Sequence, residues 1–224
     1  MNEGSIALAI KCAPVPDILA NVVNAGITGV ELYTNLKWLE NIQGTIKTCQ
    51  DFPLRYMVNS PPNDYSPCIV ELAQAINAEL VVFHDVFWED EWSGIKKDFN
   101  GTNIQVCVEN VSSSIEVVKI MRRFGFGLCL DLEHFQMQTS GLFEDVLPQI
   151  ISPAKHIHLT GYFHGSKCWH THLHHSPEHV KNILNLISLS GYQGYVVSEG
   201  KTSLQTLSEF RKLNKFFIDW KSSL

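Results

Sequence analysis

Residues 104–134 read IQVCVENVSSSIEVVKIMRRFGFGLCLDLEH. IQVCVEN is a short apolar run with the carboxylate Glu109 near its end, and Ser112 to Ser114 offer capping side chains to the helical segment IEVVKIM. Gly125-Phe126-Gly127 reads as a turn, because it lacks a third glycine at dinucleotide spacing and precedes a strand instead of a helix. GLCLDL is then a second apolar run, ending near Asp131. A helix joining two runs of this kind is the connection that parallel strands require.

The same alternation extends in both directions. Near-continuous apolar runs recur at 6–12 (IALAIKC), 29–34 (GVELYT), 54–60 (LRYMVNS) and 80–86 (LVVFHDV), then at 104–111, 127–134, 156–162 (HIHLTGY) and 195–200 (YVVSEG). Runs without strict polar alternation suit strands covered on both faces. Helical patterns fill 15–25, 37–50, 66–78, 112–124, 142–151, 178–190 and 203–221, the last with Leu204, Leu207, Phe210, Leu213 and Phe217 at three- and four-residue steps. The pattern is weakest between His84 and Gln105, where a lid or an irregular loop is expected. Eight strands alternating with helices predict an α/β fold, a compact (β/α)8 TIM barrel, with residues 1–224 as one domain. An open doubly wound sheet is the alternative, since alternation alone does not prove closure.

Composition narrows the function classes. The chain has 224 residues, 45% of them hydrophobic and 18% charged, an ordinary globular balance. A formal net charge of −6, without a Lys/Arg run, argues against a nucleic-acid partner. The opening MNEGSIALAIKCAPVP has no secretory pattern and no long apolar run follows, so a cytoplasmic chain without a membrane partner is expected. Six scattered cysteines without a CxxC pair read as reduced thiols.

Glu109, Asp131, His158 and Glu199 stand at the ends of the last four apolar runs. In a barrel those ends open onto one face, and three carboxylates with an imidazole would repel one another there unless a cation sat between them. Taken one at a time, each is better explained by a buried ion pair or a hydrogen bond inside the barrel. Together they predict a divalent-metal site. Its oxygen-rich donor set favours Mn²⁺, Mg²⁺ or Co²⁺, with Zn²⁺ also compatible. Glu109 and Glu199 are expected to be catalytic as well, each binding through one oxygen and exchanging a proton through the other.

Candidate substrate contacts lie around these four. His84 and His134 fall at the same strand edge, where each reads equally as a substrate contact or a packed histidine. HGSKCWHTHLHHSPEH, 164–179, holds six histidines, and the alternative to a ligand role there is a solvated loop. Aromatic residues after strand ends, Trp88 and Tyr162 among them, can cover the apolar face of a sugar ring, although about half of such residues are expected to pack against the barrel.

In this order GITGVELYT, VVFHDV, VCVEN, CLDLEH, HIHLTG and VVSEG resemble the xylose isomerase-like TIM barrels, which contain sugar and sugar-phosphate isomerases and epimerases together with endonuclease IV-type enzymes. The resemblance implies that Glu109, Asp131, His158 and Glu199 are metal ligands. It places His84 and His134 near substrate or further metals, and makes His172 the nearest match to a family histidine. Two departures stand out: Asn59 where relatives commonly carry a histidine, and His174-His175-Ser176-Pro177 in place of a glycine-rich continuation. Both weaken a multinuclear, nuclease-like site. The expected function is therefore metal-dependent isomerisation or epimerisation of a small sugar, a sugar phosphate or a related polyhydroxy carbonyl compound. The alternatives are a phosphodiester hydrolase and a barrel that binds a metabolite without turnover; assembly into a homo-oligomer is left open.

Overall fold

The computed structural model describes residues 6–139, 143–161 and 170–224. Its elements run β1 (Ala7–Cys12), α1 (Pro16–Asn24), β2 (Gly29–Tyr33), α2 (Leu36–Glu40), α3 (Ile42–Gln50), β3 (Arg55–Asn59), α4 (Cys68–Ala75), β4 (Leu80–His84) and α5 (Glu89–Asp98). They continue β5 (Gln105–Glu109), α6 (Ser114–Phe124), β6 (Gly127–Asp131), α7 (Leu132–Thr139), α8 (Phe143–Ile151), β7 (Ala154–Leu159), α9 (Pro177–Leu189), β8 (Tyr195–Glu199) and α10 (Leu207–Lys221). Each strand pairs in parallel with the next, and β1 pairs with β8, where Lys11 lies opposite Glu199. The sheet is closed, which removes the open-sheet alternative and makes this the (β/α)8 barrel.

The two-residue period of each strand separates two buried layers. Ala9, Met57, Val82, Cys107, Cys129 and Val197 pack together as an inner cluster. Their neighbours one residue away, among them Ile10, Val58, Phe83, Val108, Leu130 and Val196, pack with the helices. The inner side chains are mostly small, and the inner positions toward the strand ends are polar: Lys11, Glu31, Asn59, His84, Glu109, Asp131, His158 and Glu199. A polar upper third above an apolar plug is the arrangement that places a barrel's site at the carboxyl ends of its strands.

Four local features differ from the sequence reading, the first being the division of the helical segment 37–50 into α2 and α3. The stretch between His84 and Gln105 contains a helix, α5, which buries Trp92 and Ile95. It carries Glu89, Asp90 and Glu91 in its first turn and Lys96 and Lys97 in its last, matching the helix dipole. The Trp88 backbone N–H donates to the Glu91 carboxylate at 2.7 Å. The charge pattern at its ends, more than its apolar period, marked this helix. Residues 132–139 form α7 directly after β6, so His134 lies on a helix. The last helical segment divides into a 3₁₀ turn, Thr202–Leu204, and α10. Gly125 closes α6 at φ +75°, the left-handed conformation in which glycine is favoured. Cys12, Cys49, Cys68, Cys107 and Cys129 are free thiols, and among the described residues no helix is long and apolar enough to cross a membrane.

Candidate metal centre

Strands β5 to β8 bring Glu109, Asp131, His158 and Glu199 together, with one donor atom of each within 4.8 Å of all the others. All four are buried. His158 Nδ1 lies 3.3 Å from Glu109 Oε1, 3.2 Å from Glu199 Oε1 and 3.9 Å from Asp131 Oδ2, yet makes no hydrogen bond to any described residue. Its other nitrogen, Nε2, lies 2.9 Å from Glu31 Oε2. With Nε2–H donating to Glu31, Nδ1 presents a lone pair to three carboxylates. That arrangement requires positive charge, supplied either by a proton on Nδ1 or by a cation in its place.

The electrostatics describe the same need. Burial pushes the Asp131 carboxyl well above the usual range, and the charges of Glu199 and Glu109 push it further. Burial works against a charged His158, but the acidic groups around it outweigh that cost and raise it well above the ordinary histidine range. A buried carboxylate held against its preference and an imidazole nitrogen without a partner fit a divalent ion, which would relieve both. Three oxygens and one nitrogen form a largely hard donor set.

Several further residues hold these four in place. Glu31 Oε2 also lies 2.6 Å from His156 Nε2, and both Glu31 and His156 are fully buried. Burial opposes ionisation of Glu31, but the His158 charge and the two histidine hydrogen bonds outweigh it and lower its pKa. A carboxylate on the far nitrogen fixes the tautomer and orientation of an imidazole ligand. Asn110 joins β5 to β6 by donating to the Asp131 carbonyl at 3.0 Å and accepting the Asp131 N–H at 2.7 Å. Lys11 Nζ donates to Glu199 Oε1 at 2.5 Å and lies 3.7 Å from Glu31 Oε1. The sequence reading missed Glu31, His156, Lys11 and Asn110. Strand period was the available signal: His156 is two residues before His158, and Lys11 and Glu31 are charges inside otherwise apolar runs.

A cavity of about 470 Å³ lies beside the cluster, lined by Lys11, Tyr33, Asn59, His84, His170, Glu199 and Lys201 among others. His84 Nε2 is 3.5 Å from Glu109 Oε2, which places this histidine between cavity and cluster. His134 reaches the site through its backbone, its N–H donating to Asp131 Oδ1 at 2.8 Å. Trp88 stands 79% exposed at the start of α5. Tyr162 lies outside the described residues.

His172 is fully buried, with Nδ1 3.0 Å from Ser198 Oγ and Nε2 3.3 Å from the Leu204 carbonyl. Ser198 alternates with Glu199 along β8, so this ring braces the strand from its outer face. Burial, the largest influence, lowers His172 to about 4. A folded pKa below the unfolded value of about 6.5 means stability that is complete above pH 6.5 and lost as the pH falls toward 4. Urea titrations at pH 7.5 and 4.5 are expected to show wild type losing about 2–3 kcal/mol more than His172→Gln. Equal losses in the two proteins would show that His172 titrates normally.

No protein-family model and no curated protein sequence matches the chain. Solved structures of the same fold include D-allulose 3-epimerase from Methylomonas sp., at TM-score 0.67 and 11% identity over 96% of this chain and 98% of that one. L-Ribulose 3-epimerase superposes at TM-score 0.66 and 9% identity, over 98% and 95% of the two chains. Dihydropteroate synthase from Thermus thermophilus does so at 0.60 and 10%, over 99% and 94%. Likenesses this distant, spread over unlike chemistries, show the fold alone.

Proposed function

We propose that this chain is a divalent-metal-dependent isomerase or epimerase acting on a small sugar or a related polyhydroxy carbonyl compound. The observation that carries this reading is how two glutamates divide their oxygens. Oε1 of Glu109 and of Glu199 both turn in toward His158 Nδ1. Oε2 of Glu109 instead lies 3.5 Å from both Asn59 Nδ2 and His84 Nε2, and Oε2 of Glu199 lies 3.8 Å from His170 Nδ1, all on the cavity side. Glu109 thus turns one oxygen to the ion site and one to the cavity, and Glu199 divides in the same way once its Oε1 exchanges the Lys11 ammonium for the ion.

Glu109, Asp131, His158 and Glu199 would hold the ion. When bound, it supplies Lewis acidity, polarising the substrate carbonyl and offsetting the charge of the enediolate. The chain's own residues then divide the proton work. One glutamate Oε2 removes the proton from the carbon beside the carbonyl, and its electron pair passes into the enediolate. The other glutamate, as the acid, returns a proton to the opposite face of that carbon, which inverts it. Delivery to the neighbouring carbon instead would exchange aldose and ketose. Lys11, kept as an ammonium by Glu199, Glu109 and Glu31 against the cost of burial, is placed to donate to a substrate oxygen. Asn59 and His84, which line the cavity, would bind hydroxyls.

The test is to incubate the Mn²⁺-loaded chain with a panel of ketoses, aldoses and their phosphates in D₂O, following product and deuterium by NMR, with abasic-site DNA as a parallel substrate. Metal-dependent product carrying solvent deuterium at the exchanging carbon is expected. Product without deuterium would replace proton transfer by a hydride shift, and DNA incision without sugar turnover would overturn the reading in favour of a phosphodiesterase. The net charge of −6 and the amide at Asn59 favour the sugar.

A further inference from the structure

We propose that His174, His175 and Glu209 form a second metal site, suited to a borderline ion such as Zn²⁺, which clips the segment after β7 to the start of α10. The 3₁₀ turn Leu173–His175 directs both imidazoles at one carboxylate. His174 Nε2 lies 3.1 Å and His175 Nε2 2.7 Å from the same oxygen, Glu209 Oε2, and one donor atom of each residue falls within 4.8 Å of the others. Glu209 occupies the first turn of α10, where its N–H donates to the Thr206 hydroxyl and its second oxygen accepts from Lys212 at 2.7 Å. Lys212 therefore holds one carboxylate oxygen, with Oε2 left to the histidines.

Two nitrogens and one oxygen are a softer donor set than the one inside the barrel, and they match zinc better than magnesium or manganese. Ligation requires neutral imidazoles, so the site fills as the two histidines lose their protons. His175 is more than a third exposed, so solvent can complete the coordination shell. The cluster is also tied to the barrel: the His174 ring stacks on His172 at 6.2 Å, and His172 bonds Ser198 next to Glu199. The Lys201 N–H donates to the His170 carbonyl at 2.8 Å, so the segment clipped here also forms part of the cavity wall. An ion on His174, His175 and Glu209 would set that wall without touching substrate.

The experiment is a Zn²⁺ titration of the full chain, stripped with chelator, alongside His175→Gln, Glu209→Gln and Asp131→Asn, with circular dichroism to confirm folding. His175 is exposed, so its glutamine variant is expected to fold as wild type does. The expected result is loss of one zinc equivalent, and of part of the zinc-induced rise in Tm, in His175→Gln and Glu209→Gln, with that equivalent retained in Asp131→Asn. Asp131→Asn reports separately on the barrel centre, so a failure there leaves this inference standing. Full zinc stoichiometry at unchanged affinity in both His175→Gln and Glu209→Gln would overturn it.

Discussion

Glu199→Gln and Glu109→Gln are each expected to lower turnover by about 10²- to 10⁴-fold at matched metal occupancy, the range contributed by a positioned acid or base. Glutamine keeps the volume and one carbonyl oxygen, so the barrel and most of the hydrogen bonding survive while the proton acceptor is lost. The effect should fall on kcat, with KM changed less, because the proton moves in the transition state. Solvent deuterium incorporation should fall with it. The two variants also separate the roles: with a substrate that one glutamate deprotonates, loss of that base abolishes exchange, whereas loss of the opposite acid leaves some exchange without inversion. Near-normal turnover in both would remove the acid/base pair from the mechanism.

Glu31→Gln is expected to weaken divalent-ion affinity by about 10- to 100-fold, the usual consequence of removing the carboxylate behind a histidine ligand. It is also expected to destabilise the fold, because Glu31 and His158 are both fully buried and breaking a buried charged pair costs about 3–5 kcal/mol. The two effects have one origin: the carboxylate that orients Nε2 also compensates the positive charge drawn to Nδ1. Isothermal titration with Mn²⁺ and urea denaturation of the metal-free protein measure them independently. Unchanged affinity together with unchanged stability would mean that His158 is positioned by packing alone.

The contrast between Glu109 and Glu31 shows what the sequence discloses. Glu109, Asp131 and Glu199 each end an apolar run, and in a parallel sheet all such ends face one way, so their convergence follows from fold class. Glu31 lies within β2, followed by Leu32 and Tyr33, and nothing local says that it meets His156 and His158 across the barrel. That contact depends on closure and strand stagger, which are tertiary properties. His172 shows the opposite difficulty. A histidine in a histidine-rich stretch invites a ligand role, but only packing reveals the Ser198 hydroxyl and the Leu204 carbonyl that occupy its two nitrogens. The helix α5 was hidden for another reason: its apolar face is only Trp92 and Ile95, and its acidic first turn and basic last turn carry the signal.

The central claim is that four strand ends share one divalent ion. Diffraction from Mn²⁺-soaked crystals at the manganese absorption edge tests it most directly. The account predicts an anomalous peak bounded by Glu109, Asp131, Glu199 and His158 Nδ1, and the loss of that peak in Asp131→Asn. A centre without anomalous signal, with the Lys11 ammonium still on Glu199 at saturating metal, would contradict it.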